Sequence, residues 1–128
     1  MALHLSDIPF DGPMGEVRVG RIDGEYIINP TVSELQQSDI DMVVGGTRDS
    51  VLMIEGEMDE ISETEMLEAI KAAHASIAKL CDFQDELRNE LGKQKREFIP
   101  ANLDETVEDE VKALAENKIK EIIDICNF

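Results

Sequence analysis

Residues 16–29 read EVRVGRIDGEYIIN, two runs in which apolar and polar positions alternate around Asp23-Gly24. A period of two places Val17, Val19 and Arg21 on one face of an extended strand, with Arg18 and Gly20 on the other. An Asp-Gly pair tolerates the positive φ angles of a type I′ turn, so the segment predicts a β-hairpin. A second hairpin is predicted where DMVV at 41–44 and VLMIE at 51–55 flank the turn-forming cluster Gly45-Gly46-Thr47-Arg48-Asp49-Ser50. Between the hairpins, Thr31 and Glu34 have the spacing of a capping box and predict a helical turn through Leu35 and Gln36.

Beyond Glu60 the period changes. Ser62-Glu63-Thr64-Glu65 forms another capping box and opens a helical pattern that lasts to Leu91, with Gly92 as its stop. Such a helix is about 43 Å long at the usual rise per residue. Met66, Ile70, Ala73, Ile77, Leu80, Leu87 and Leu91 recur at spacings of three and four, interrupted by Gln84, and predict one buried stripe. A helix of this length outruns a small sheet, so its second half is expected to pack on the last helix of the chain. Residues 93–100 form a connector, because Pro100 disfavours helical geometry at Ile99. Asn102 or Asp104 then caps a final helix whose apolar face is Leu103, Val107, Val111, Leu114, Ile119, Ile122 and Ile123. It runs to Phe128 without a clear C-cap, which gives that end the look of a cut. The class is α+β, a β-rich half followed by an α-rich half with no low-complexity linker at the change.

Composition narrows the function classes. With 29 acidic and 12 basic residues the formal charge is −17, which repels phosphate and leaves no basic footprint for nucleic acid or an anionic membrane. An aromatic share of 4% offers bases few rings to stack on. Cys81 and Cys126 have neither metal-ligand nor redox spacing and read as reduced cytosolic thiols. No apolar run approaches the ~20 residues that span a bilayer, and the N-terminus lacks a signal-peptide pattern.

Candidate chemistry is sparse. His74 reads as a packed or capping histidine, and Cys81 as a buried small apolar residue; His4 joins no nucleophilic grouping. Gly12-Pro13-Met14-Gly15 and Gly45-Gly46-Thr47 lack the lysine and strand-to-helix setting of a phosphate-cradling loop. Asp39 and Asp41, an Asp-x-Asp at the mouth of a strand, admit two readings, a shared Mg²⁺ site or, with more weight, two solvated turn carboxylates. Lys93, Lys95 and Arg96 similarly admit a phosphate contact or, with more weight, an ordinary solvated connector.

Three ordered strings carry a more specific signal: LSDIPFDGPMGEVRVGRIDGEYIINPT at 5–31, DMVVGGTRDSVLMIE at 41–55, and ISETEMLEAIKAAHASI from Ile61. Together they resemble bacterial polynucleotide phosphorylases, over nearly the whole chain and more weakly after Gly92. The resemblance implies a partial ribonuclease PH-like fold of two β-hairpins and one long helix, followed by an all-α linker segment. Residues 1–92 would be the C-terminal half of the family's first ribonuclease PH-like repeat, and 93–128 the start of the linker between its repeats. Met1 then falls inside a repeat, at the tail of a helix, and the piece is expected to expose apolar surface.

The family's activity, by the same resemblance, is phosphorolytic 3′-to-5′ exoribonuclease and polyribonucleotide nucleotidyltransferase chemistry in cytoplasmic RNA degradation, performed by a homotrimer. Inorganic phosphate and Mg²⁺ serve the parent enzyme, and this segment takes no cofactor of its own. Its partners are the rest of the parent chain and neighbouring subunits, with RNA bound by the parent alone and no membrane. The family's catalytic motif, an acid, five residues, a second acid, one residue and a lysine, belongs to the second repeat. Here its positions fall on Leu35, Asp41 and Val43, with Gly45 at the closing glycine. Two apolar residues replace chemistry-bearing groups, so no catalytic, cofactor-binding or metal residue is expected in this chain. The alternative from another class is a free-standing acidic protein-interaction module that presents Met66, Ile70 and Ile77 to a partner helix.

Overall fold

A computed structural model of the chain describes residues 1–100 and 105–125. These form α1 (Ala2–Leu5), β1 (Gly15–Ile22), β2 (Glu25–Ile28), α2 (Val32–Leu35), β3 (Ile40–Gly46), β4 (Val51–Met58), α3 (Glu63–Leu91) and α4 (Glu105–Ile125). The arrangement is α+β, as the patterning predicts. Two compact units divide it, Met1–Glu97 and Phe98–Phe128.

In the first unit both predicted hairpins form. Asp23 and Gly24 take φ of 51° and 83°, the positive angles that a type I′ turn needs. The hairpins then join, because β1 also pairs antiparallel with β3, giving one sheet of order β2-β1-β3-β4. Alternation decides which face each residue serves. Val17 and Val19 from β1 and Ile40, Met42 and Val44 from β3 are buried beneath α3, together with Ala69, Ala73, Ile77 and Cys81. Burial of each large side chain contributes about 1.5–3 kcal/mol. The opposite face, with Arg18, Asp41, Val43, Glu55 and Glu57, is turned away from α3, and the short α2 touches it at one end, where Leu35 borders Asp41 and Glu57.

Both capping boxes are present. Thr31 caps α2 with Glu34 reaching back, and Ser62 caps α3 with Glu65 reaching back. The buried line of α3 differs from the expected stripe. Ala69, Ala73, Ile77, Cys81 and Gln84 are buried, whereas Leu80 and Leu91 are 39% and 68% exposed. Alanines at 69 and 73 allow close approach to the sheet, and that approach sets the helix rotation. Gln84 is no interruption, since its side-chain amide donates to the Met14 carbonyl at 2.8 Å. Gly92 ends the helix in extended geometry (φ −69°, ψ 145°) instead of a left-handed cap. A Cβ there would overlap the Arg88 carbonyl oxygen, so space and not a positive φ requires the glycine.

The second half of α3 finds a partner that the patterning did not suggest, the N-terminal segment. His4, 1% exposed, contacts Asp85 Oδ1 through Nε2 at 2.8 Å, and Phe10 lies edge-on to the His4 ring. After α3 the connector straps back over α1. The Lys93 N–H donates to the Leu5 carbonyl (2.9 Å) and the Arg96 N–H to that of Asp7 (2.7 Å). Lys95 Nζ donates to the carbonyls of Leu3, His4 and Ser6 at 2.8, 3.1 and 2.9 Å, satisfying acceptors at the end of α1.

The second unit contains α4, an amphipathic helix with Val107, Val111, Leu114, Ile119, Ile122 and Ile123 all more than half exposed. Glu108–Lys112 and Glu116–Lys120 ion pairs support it at i, i+4. The expected caps Asn102 and Asp104, together with Leu103, Cys126 and Phe128, lie outside the described residues.

Candidate functional site

The strand mouth holding Asp39 and Asp41 is the place where sequence alone leaves room for chemistry. Asp41 stands on the open face of β3 and is half-buried. Its register partner on β1 is Gly20, so no side chain stands directly opposite, and Arg18 reaches it along the diagonal. The pair is bidentate, Arg18 Nε to Oδ1 at 2.6 Å and Nη2 to Oδ2 at 2.7 Å. The hydrogen bond to Asp41, reinforced by its charge, raises the Arg18 pKa. Val43, Glu55, Gly56 and Glu57 complete a shallow depression around the pair.

Asp39 is held from the other side of β1. Arg21 Nε donates to Asp39 Oδ1 at 2.9 Å and Nη2 to Oδ2 at 2.6 Å, while Nη1 donates to Glu65 Oε1 at 2.6 Å. Glu65 also accepts from the Ser62 N–H at 2.8 Å and from its hydroxyl at 2.7 Å. One arginine thus ties β1, the entry to β3 and the start of α3 together. Asp39 and Asp41 both border a second depression with Leu35, Ser38, Glu57, Met58 and Asp59. Each carboxylate is nevertheless occupied by its own arginine. Among the described residues, no group of three or more His, Cys, Asp or Glu could hold a metal ion.

These contacts shift the acids in a testable direction. Ser62, first through its N–H and then its hydroxyl, and Arg21 after it, lower the Glu65 carboxyl to about 2. Hydrogen bonding from Arg21 lowers Asp39. A depressed folded pKa means that the unfolded chain binds more protons in the interval, so the stabilisation is full above the ordinary carboxylate range. It is lost as pH falls through that range toward about 2. Urea midpoints followed on acidification should therefore drop, and both Ser62→Ala and Arg21→Gln should flatten that drop. Ser62→Ala should act through Glu65 and Arg21→Gln mainly through Asp39. An unchanged acid limb in both variants would refute the assignment.

The remaining candidates have structural roles. Leu35 sits in α2 and Val43 on the open sheet face, both half-buried and neither carrying a polar side-chain atom. The His74 ring contacts the Thr47 carbonyl oxygen through Nε2 at 3.2 Å. Cys81 is fully buried against the Pro13 carbonyl, and burial raises its thiol pKa, the opposite of nucleophile activation. The 12–15 loop turns the Pro13 and Met14 carbonyls toward α3. Lys95 is engaged by three carbonyls and Arg96 by Asp7 at 3.2 Å, so the basic connector serves as a clamp. The patterning missed both arginine networks. One clue was available: Arg21 shares the buried face of Val17 and Val19, where a guanidinium needs an acid partner.

Residues 12–76 match the model of the 3′ exoribonuclease family, domain 2. The chain is 53% identical over 121 residues to a polyribonucleotide nucleotidyltransferase of Chlorobium chlorochromatii (strain CaD3), covering 94% of this chain and 17% of that protein. It is 60% identical over 99 residues to the protein of that name from Chlorobaculum parvum (strain DSM 263 / NCIMB 8327), covering 77% and 14%. A third, from Bacillus pumilus (strain SAFR-032), is 48% identical over 125 residues, covering 98% and 18%. The chain thus spans less than a fifth of the length of these curated relatives.

Proposed function

Because the chain belongs to the 3′ exoribonuclease family, whose domain 2 it carries at residues 12–76, we propose that it is an architectural, non-catalytic segment of a longer phosphorolytic 3′-to-5′ exoribonuclease. In this reading residues 1–92 are the C-terminal half of the first ribonuclease PH-like repeat, and 93–128 begin an all-α linker. The relatives' name, polyribonucleotide nucleotidyltransferase, supports the activity of the whole enzyme. In that reaction an oxygen of inorganic phosphate attacks the terminal phosphodiester, the bond to the preceding 3′ oxygen breaks, and a nucleoside diphosphate leaves. Charge builds on phosphoryl oxygens, so the chemistry needs a cationic clamp and a metal.

The observation that carries the non-catalytic assignment is the Arg18–Asp41 pair. Both Asp41 carboxylate oxygens accept from one guanidinium, and the neighbouring positions at which the family motif places an acid and a lysine are Leu35 and Val43. This donor set does not fit Mg²⁺, which takes oxygen ligands in near-octahedral geometry. The acidity of the chain further disfavours RNA on its surface. Mg²⁺, phosphate, RNA and the neighbouring subunits of a cytoplasmic homotrimer are assigned to the complete enzyme. No helix among the described residues is long and apolar enough to cross a membrane. The rival reading, a free-standing interaction module, has less support, because similarity to the much longer relatives extends over almost all of this chain.

Incubated with an RNA oligonucleotide, inorganic phosphate and Mg²⁺, the 128-residue chain is expected to release no nucleoside diphosphate. Release that depends on both phosphate and Mg²⁺ would overturn the proposal.

A further inference from the structure

The sheet ends at β4, and along one edge of its eight residues no strand among the described residues pairs with its backbone. Unpaired N–H and C=O groups in a row are a template for an added strand. At the other end of the sheet β2 has four residues and offers a shorter template. The first half of β4 is sticky, since Leu52, Met53 and Ile54 are 58%, 41% and 42% exposed. The second half is charged with one sign. Glu55 and Glu57 lie on the open face beside Val43 and Asp41, and Asp59 and Glu60 follow directly. Arg18, the cation that lines this face, is committed to Asp41.

Charges of one sign protect an edge selectively. A second copy pairing along β4 would bring two sets of Glu55 and Glu57 together, on chains that each carry −17. A cationic strand meets attraction at the same positions. Because side chains alternate along a strand, the two glutamates call for basic residues two positions apart on the incoming segment. The positions between them face the core side, where Ile54 pairs with Val44, and call for apolar residues.

The geometry points to the free edge of β4 as a docking site for an extended segment of a partner polypeptide, with basic and apolar residues in alternation. Its affinity comes from backbone pairing, and its selectivity from Glu55 and Glu57. The inference is independent of the catalytic status of the chain.

The test uses the full chain with a synthetic peptide alternating valine and lysine, and an isomer of the same composition with the lysines in one block. The alternating peptide should slow amide exchange in β4 and bind more weakly as salt rises. Glu55→Lys/Glu57→Lys should lower its affinity by about tenfold or more, and Glu55→Gln/Glu57→Gln should lower it less, with the fold of both variants checked by their unchanged exchange in β1. Equal binding of the block isomer, binding without β4 protection, or a dimer of the chain that protects β4 without peptide would each overturn the inference.

Discussion

Gly56→Ala is expected to destabilise the first unit by about 2–4 kcal/mol, a cost in the range of forced backbone displacement in packed structure. Gly56 is the register partner of Met42. A Cβ added there would overlap the Asp41 carbonyl oxygen and lie 2.7 Å from Met42 Cα, both backbone atoms of a central strand that no rotamer change can move. Relief requires β4 to part from β3 near the Asp41–Glu57 and Met42–Gly56 pairs, which breaks ladder hydrogen bonds. Gly45→Ala is the matched control. Its Cβ would meet Met53 side-chain atoms at 3.7 Å, an ordinary contact, so its cost should stay below about 1 kcal/mol. Urea denaturation of both variants decides the matter, and a Gly56→Ala protein as stable as the Gly45→Ala control would contradict the strand geometry.

Ile77→Ala should cost about 3 kcal/mol, while Leu80→Ala should cost well under half of that. Ile77 is fully buried at the crossing of α3 and β1, with its Cγ2 close enough to Gly15 that a Cβ there would lie 3.3 Å away. Removing it leaves a cavity in the core between α3 and the sheet, where rigid elements cannot easily collapse. Leu80 is one turn along and 39% exposed, so its truncation returns little surface to water. Equal losses in the two variants would show that α3 is rotated from the position described.

Spacing in the sequence treats Ile77 and Leu80 alike, and the difference between them marks how far patterning reaches. Features set by a few adjacent residues were legible: the Asp23-Gly24 turn, the Thr31 and Ser62 capping boxes, and the limits of α3. Helix rotation was not, because it depends on Ala69 and Ala73 meeting a sheet assembled from distant residues, Val17 and Val19 on one strand and Ile40, Met42 and Val44 on another. The β1–β3 pairing that fuses the two hairpins was hidden for the same reason. So was the burial of Gln84, which is meaningful only once the Met14 carbonyl is beside it.

At the candidate site, the residue types were legible and the partners were not. Arg18 and Arg21 are three apart on β1 and emerge on opposite faces, so each takes a different aspartate. The Asp-x-Asp spacing that admits a shared cation says nothing about either arginine. The resemblance adds an expectation that spacing could not, that Leu35 and Val43 fall where the family's motif carries an acid and a lysine.

The strap over α1 has a mechanical consequence. Leu5 pairs with Lys93 and Asp7 with Arg96, so the two segments run in the same direction. Tension applied outward from Met1 and from Glu97 therefore pulls them along their length in shear, loading the backbone bonds and the Lys95 clamp together instead of peeling them apart one by one. In a longer polypeptide the first unit can bear a pull at its two ends while the sheet between them stays slack.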